Sequence, residues 1–174
     1  MAESVKTWMR KQKSIIKNMT MGELSSTYCF RDPLCPIRNN PEIIYSPADG
    51  ILIDITHINN TTDCIYTKYG DVTLDELSHG IIPNNAYDVI SIFLTFYDPH
   101  IIRMPVNGIV NRIELPAFFV ENRPMLDFEN EIMDINYTGI KKELIKDFAY
   151  NQRTLYRIKN PFYKNEMYLL LTAD

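Results

Sequence analysis

An uninterrupted apolar run, Val89–Phe96, constrains the possible folds of this chain more than any other segment. The run reads VISIFLTF, and its β-branched and aromatic residues favour a strand. Because almost every position in it is apolar, we expect both faces of this strand to be buried, as in the centre of a sheet. The sequence therefore predicts a domain built around a β-sheet, with this run as its central strand.

Further short strands are predicted on both sides of the run, with local rather than βαβ connections. The turn Ser46–Asp49 carries Pro47 at its second position, which suits a tight hairpin between residues 43–45 and 50–55. Thr73 and Glu76 have the spacing of a capping box at the start of a short helix. We therefore assign the chain to the mainly β (α+β) class. The other predicted strands span 62–68, 101–104, 108–115, 132–137, 153–158 and 167–172.

Residues 2–20 are predicted to form an N-terminal amphipathic helix, because apolar residues recur near helical spacing and basic residues fill the other positions. Three interpretations stay open. The apolar stripe docks on the domain, or the helix lies on an anionic lipid surface with Trp8 at headgroup depth, or it clasps a partner protein. The residues assigned to a lipid surface are Trp8, Arg10, Lys11, Lys13 and Lys17.

The segment 21–42 is predicted to be an irregular linker, because three prolines and an Asn-Asn pair interrupt regular structure. The predicted organisation is thus an arm over residues 1–42, comprising the helix and the linker, followed by a β domain over residues 43–174. No repeat or low-complexity segment divides the chain further.

Composition excludes several classes of protein. With 45% hydrophobic and 23% charged residues, the 174-residue chain is too apolar to be disordered throughout. No window approaches the roughly 20 apolar residues that a membrane-spanning helix needs. A formal net charge of −4 disfavours nucleic acid as a partner, since nucleic-acid-binding domains are usually basic.

The cysteines and the N-terminus bear on the compartment. Cys29, Cys35 and Cys64 match neither a CxxC nor a zinc-binding spacing, and the first residues do not resemble a secretory signal. We therefore expect unpaired cysteines in an intracellular, reducing compartment, with the protein either free or peripheral on a membrane.

Two polar features stand out as candidate sites. Asp49 lies in a Pro-Ala-Asp-Gly turn, where an aspartate usually accepts hydrogen bonds from turn amides. Asp98 and His100 follow the apolar run, and two such side chains at the mouth of a buried strand would suit an acid/base or metal pair. A surface Asp-Pro turn explains the same residues without any chemistry. Neither feature is specific alone.

The order and spacing of four blocks are more informative than any one residue. SPADG at 46–50, YGDVTLDEL at 69–77, SIFLTFYDPHIIRMPVNGIV at 91–110 and PFYKNEMYLLLT at 161–172 occur in this order. Together they resemble the phosphatidylserine decarboxylase family, from about residue 43 onward. The resemblance implies a phosphatidylserine-decarboxylase-like β domain.

The resemblance also implies residue roles. In the family, a serine in a late L-G-S-T segment cleaves the chain and leaves a pyruvoyl group, the electron sink for decarboxylation. Asp49 matches the aspartate that orients a histidine base in this cleavage, and His100 matches the histidine that serves decarboxylation. Arg103 occupies the position of the base itself. An arginine cannot act as a general base near neutral pH, because its pKa exceeds 12.

The sequence ends shortly after Thr172, before the point where the resemblance would place the serine segment. We therefore expect no pyruvoyl cofactor in this chain, and an inactive domain that serves as a binding or structural subunit of a larger assembly. The alternatives are the large chain of a decarboxylase whose small chain is supplied separately, a lipid-surface binder, and a metal site at Asp98 and His100. We also expect the strand 167–172 to present an open edge, covered by a protein partner, a second copy or the 21–42 arm.

Overall fold

The structure is a computed structural model that describes residues 3–35, 40–67, 70–115 and 152–172. Within these ranges the strands form small sheets: β1 pairs with β4, β2 with β3, and β6 lies between β5 and β7. The last two sheets are antiparallel, and the predicted mainly β class is confirmed. The strands are β1 (Ile51–Ile58), β2 (Cys64–Thr67), β3 (Gly70–Thr73), β4 (Tyr87–Phe93), β5 (Ile109–Glu114), β6 (Arg153–Lys159) and β7 (Met167–Thr172).

The chain divides into two compact units. The first comprises Met1–Leu52 and Ile92–Val106, and the second comprises Ile53–Ser91 and Asn107–Asp174. The predicted division into an arm and a β domain at residues 42 and 43 stays a prediction.

The first unit begins with helix α1 (Val5–Ile16), which is shorter than the predicted 2–20. Ser4 caps it by accepting a hydrogen bond from the Thr7 amide. One side of α1 packs within the unit: Met9 is buried, and the Trp8 ring lies 6.2 Å from that of Tyr97. Trp8 is therefore half-buried against an aromatic neighbour.

The start of the predicted linker is helical, which corrects the prediction that it is irregular. A short helix α2 (Met21–Glu23) continues into a π-helical turn over Leu24–Tyr28. Thr20 and Glu23 form a reciprocal capping box, in which each side chain accepts from the other residue's backbone N–H. The sequence carries this Thr-x-x-Glu signal, but the prolines further along dominated the prediction.

In the second unit, β6 is the strand that is buried on both faces. Leu155 and Ile158 point to opposite faces and neither has any exposed surface. Leu155 lies opposite Ile113 and Leu170, and it packs in a cluster with Ile82. Within the described residues, β5 and β7 are the two edges of this sheet.

The prediction for Val89–Phe96 was therefore wrong in one respect. The segment does contain a strand, but β4 ends at Phe93 and pairs, among the described residues, with β1 alone. Ile90 is 55% exposed, so this strand is not buried on both faces. An apolar run indicates a strand without showing how many neighbours it has.

The predicted hairpin over residues 43–55 and the strand over 101–104 do not form. Instead the Tyr45 amide donates to the Pro105 carbonyl, while β1 pairs with β4. Pro47 and Pro105 lack an amide hydrogen, so the segments that contain them cannot extend a regular ladder. The predicted strand 132–137 lies outside the described residues.

The remaining predicted elements are confirmed. β2, β5, β6 and β7 fall within or close to their predicted spans. Helix α3 (Leu74–Ser78) begins at the capping box of Thr73 and Glu76, with hydrogen bonds of 3.0 and 3.1 Å. A second cluster of Ile58, Ile65 and Leu74 buries this helix against the neighbouring strands. None of the described helices has the length and apolar character needed to span a membrane.

Truncating the centre of the β6 core tests this packing. Leu155→Ala should lower the free energy of unfolding by about 2–5 kcal/mol, because it removes buried methyl groups and leaves a cavity. Leu34→Ala is the matched control, since Leu34 is fully exposed and should change stability by less than about 0.5 kcal/mol. Urea denaturation of both variants measures the difference. Equal losses would contradict the assignment of Leu155 to the core.

Candidate functional site

The Pro-Ala-Asp-Gly turn lies in the first unit and is closely packed. The Ser46 hydroxyl donates to the Ala48 carbonyl over 2.7 Å. A Cβ atom at Gly50 would lie 2.7 Å from the Phe93 carbonyl oxygen and 2.9 Å from Ile92 Cγ2. Only glycine permits this approach, so the turn is held directly against the end of β4.

Two backbone hydrogen bonds align the turn with the segment that follows His100. The Arg103 amide donates to the Pro47 carbonyl over 2.8 Å, and the Tyr45 amide donates to the Pro105 carbonyl over 2.9 Å. Residues 45–47 therefore run beside residues 103–105. The segments that carry Asp49 and Arg103 therefore meet within the first unit.

Asp98 forms the turn that directs the chain out of β4. Its carboxylate accepts hydrogen bonds from the Thr95 amide and hydroxyl, over 3.0 and 2.9 Å, and its own amide donates to the Thr95 carbonyl. The side chain is only 3% exposed, which corrects the alternative of a surface turn. Burial raises the pKa of Asp98, and the Thr95 donors and the nearby Arg31 charge oppose this rise.

His100 is positioned by backbone groups rather than by a carboxylate. Its amide donates to the Cys29 carbonyl, and its Nδ1 lies 3.0 Å from the Asp98 carbonyl oxygen. A carbonyl oxygen only accepts, so Nδ1 carries the hydrogen and the lone pair of the neutral ring is on Nε2. The ring is half-buried and packs 6.2 Å from that of Phe30.

Asp49 and His100 are not joined in this structure. The Asp49 side chain is exposed and makes no hydrogen bond or ion pair with the described residues. The group that orients His100 is the Asp98 carbonyl oxygen.

Arg103 connects its segment to residues further back in the chain. Its Nη2 donates to the carboxylate of Asp32 and to the Pro33 carbonyl. Because both partners are partly exposed to solvent, this ion pair contributes at most about 1 kcal/mol. The side chain thus acts as a tie between two segments.

Two residues that organise this region were missed from the sequence. Arg31 donates to the carbonyls of Tyr28 and Tyr97, over 2.7 and 2.6 Å, and lies 3.8 Å above the Tyr28 ring. Thr95 supplies both donors to Asp98. The Thr-x-x-Asp spacing was a usable signal, whereas nothing local in the sequence marks Arg31.

The predicted metal pair gains no third ligand. Within the part of the chain that the structure describes, no three His, Cys, Asp or Glu side chains are grouped to hold a metal ion. Cys29, Cys35 and Cys64 all lie in that part and are unpaired. The Cys29 thiol donates to the Ser25 carbonyl.

The sequence model of the phosphatidylserine decarboxylase family matches residues 23–173. This chain belongs to that family. It is 25% identical to a phosphatidylserine decarboxylase proenzyme of Wolbachia pipientis over 130 residues, 72% of this chain and 50% of the relative. It is 30% identical to a phosphatidylserine decarboxylase proenzyme of Carboxydothermus hydrogenoformans over 122 residues, 68% of this chain and 46% of the relative.

The chain spans about half the length of these curated relatives. No solved structure matches it significantly. The family assignment confirms the resemblance.

Two substitutions of Asp98 distinguish the contribution of its hydrogen bonds to stability from that of its charge. Asp98→Ala should lower the free energy of unfolding by about 1–3 kcal/mol, because the buried Thr95 amide loses its acceptor. Asp98→Asn keeps an acceptor oxygen and removes the desolvated charge, so it should cost less. Both variants are compared with wild type by urea denaturation.

The raised pKa of Asp98 determines the direction in which stability changes with pH. Because the folded pKa of Asp98 is raised above its ordinary value of 3.8, the folded wild type holds its proton longer than the unfolded chain. The contribution of Asp98 to stability is therefore lost as pH rises through the folded pKa. The stability of Asp98→Asn relative to wild type should increase over the same range. A difference that falls with pH would contradict the raised pKa.

Proposed function

We propose that this chain is a catalytically inactive phosphatidylserine-decarboxylase-like domain that acts as a binding or structural subunit of a larger assembly. The observation that carries the proposal is Arg103, which occupies the position of the family's base histidine. A guanidinium holds its proton at neutral pH and cannot accept one from a nucleophile.

The contacts of Arg103 support the same interpretation. Its guanidinium donates to Asp32 and Pro33, so the side chain stabilises the path of the chain instead of facing a reacting group. The Asp49 side chain, which would orient a base at position 103, is exposed and makes no hydrogen bond or ion pair with the described residues.

The second candidate function is the large chain of a pyruvoyl-dependent phosphatidylserine decarboxylase whose small chain is supplied separately. The specific observation in its favour is His100, because its Nε2 lone pair makes no hydrogen bond with the described residues. Arg103 bears only on the self-cleavage step. With a pyruvoyl group on the other chain supplying the electron sink, His100 would hold or deliver a proton as phosphatidylserine becomes phosphatidylethanolamine and CO2.

Reconstitution distinguishes the two candidates. The purified chain is mixed with the pyruvoyl-bearing small chain of the Carboxydothermus relative, and phosphatidylethanolamine is measured from labelled phosphatidylserine. We expect no product, because no side-chain carboxylate among the described residues holds the His100 ring for proton transfer. The relative's own large chain with the same small chain is the positive control.

Product formation by the mixture would overturn the inactive proposal. Product that disappears in His100→Gln would assign the chain to the second candidate. Intact mass spectrometry of the natural protein gives the complementary result, since the inactive proposal expects stoichiometric foreign subunits and no pyruvoyl-terminated peptide.

We further propose that the partner covers the edge of β7. Among the described residues β7 pairs only with β6, and an open strand edge is a ready template for another chain. A protein partner is the proposed occupant, and a second copy or the 21–42 arm are the alternatives.

An anionic phospholipid surface is a proposed location for this assembly. Arg10, Lys13 and Lys17 are exposed on or just after α1, whereas Lys11 pairs with Glu3 over 2.6 Å. Trp8 packs near Tyr97, so its contribution to lipid binding would first require the loss of that packing. The basic side chains are therefore the stronger reporters of lipid binding.

Flotation with phosphatidylserine vesicles tests this location. Lys13→Glu with Lys17→Glu should weaken binding by about fivefold or more per charge removed near the membrane, and added salt should weaken it further. Lys11→Glu and Trp8→Ala should have smaller electrostatic effects. Lys164→Glu, on an exposed residue of the second unit, is the control. Failure of the wild type to float at low salt would end the lipid proposal.

A further inference from the structure

Arg153 is a buried cation whose donors are largely unused. It is the first residue of β6, its side chain shares a strand face with Leu155, and it is only 3% exposed. Its Nη2 donates to His79 Nε2, while its Nε and Nη1 have no hydrogen-bond partner. The guanidinium therefore has three N–H bonds without an acceptor.

His79 is held in place by the end of helix α3. It is the residue after the helix, with φ of 53° and ψ of 40°, in the left-handed region. Because arginine can only donate, His79 Nε2 must accept, and the ring facing Arg153 is the neutral one. Burial and the Arg153 charge both lower the pKa of His79, in agreement with that assignment.

The charge of Arg153 is not balanced by the described residues. None of their carboxylates forms an ion pair with it. Arg157, on the same face of β6, offers a contrast, because the Glu166 carboxylate lies 3.8 Å from its Nε. An unpaired buried charge is strongly destabilising, and a protein offsets this by providing or binding an acceptor.

We propose that Arg153, held in place by His79, binds a small oxyanion, either a carboxylate or a phosphate group. A guanidinium matches both groups, since several N–H bonds can meet more than one oxygen of the same anion. Arg153 pairs with Thr172, and both residues lie at strand ends, where local opening costs least and admits a small ion. The site lies wholly in the second unit and is independent of the proposed function.

Anion titration of the full-length chain tests the site. Inorganic phosphate and sodium acetate are added separately, with chloride maintaining the ionic strength, and thermal unfolding is followed. We expect a saturable rise in the unfolding temperature with one of the two anions, and the responding anion identifies the chemistry. Arg153→Lys should weaken this binding about tenfold, because a lysine keeps the charge but loses the Nε and Nη1 donors.

Arg112→Gln is the matched control. Arg112 is exposed on the neighbouring strand β5 and pairs with Glu114 over 2.9 Å, so its loss should leave the anion response unchanged. An equal weakening in Arg112→Gln would show a general effect of surface charge and would overturn the site.

Nitrogen-15 spectra of the wild-type arginine side chains keep the proposal testable if Arg153→Lys does not fold. One slowly exchanging Nε–H resonance should shift in a saturable way with the same anion that stabilises the protein. If neither anion shifts an arginine resonance or raises the unfolding temperature, buried water satisfies Arg153 and the proposed site does not exist.

Discussion

The carboxylate of Asp98 determines the path of the chain through the first unit. By accepting both hydrogen bonds that Thr95 can donate, it ends β4 and turns the backbone toward residues 100–105. That turn brings the Asp98 carbonyl to His100 Nδ1 and places the Arg103 amide against the Pro47 carbonyl. The ring of His100, the tie made by Arg103 and the position of the Pro-Ala-Asp-Gly turn all depend on this one buried acid.

The sequence is a good guide where a local signal is complete. The capping box at Thr73 and Glu76 predicts the start of helix α3 well, because it contains the residues that stabilise that start. The sequence is a poor guide where strand pairing fails because a proline has no backbone N–H to donate. Pro47 and Pro105 leave residues 43–46 and 101–104 outside any ladder, which their apolar composition does not indicate.

The candidate site likewise has some features that the sequence predicts and others that it does not. The order of four blocks identifies the family and gives Asp49, His100 and Arg103 as candidate residues, since a resemblance aligns positions along the sequence. It gives no information about the hydrogen bonds that these residues make. The orientation of His100 depends on the backbone path between Asp98 and His100, which the resemblance does not give. The contact of Arg31 with the Tyr97 carbonyl joins segments far apart in the chain, and no pattern near Arg31 specifies it.

The backbone and the side chain of Arg103 make separate contacts. The hydrogen bond from residue 103 to the Pro47 carbonyl uses the backbone, so it does not depend on the side chain. The Arg103 side chain takes no part in that contact and instead reaches Asp32 and Pro33. The backbone of residue 103 thus holds the turn while its side chain holds residues 32 and 33, so two parts of the first unit are tied to one position of the segment after His100.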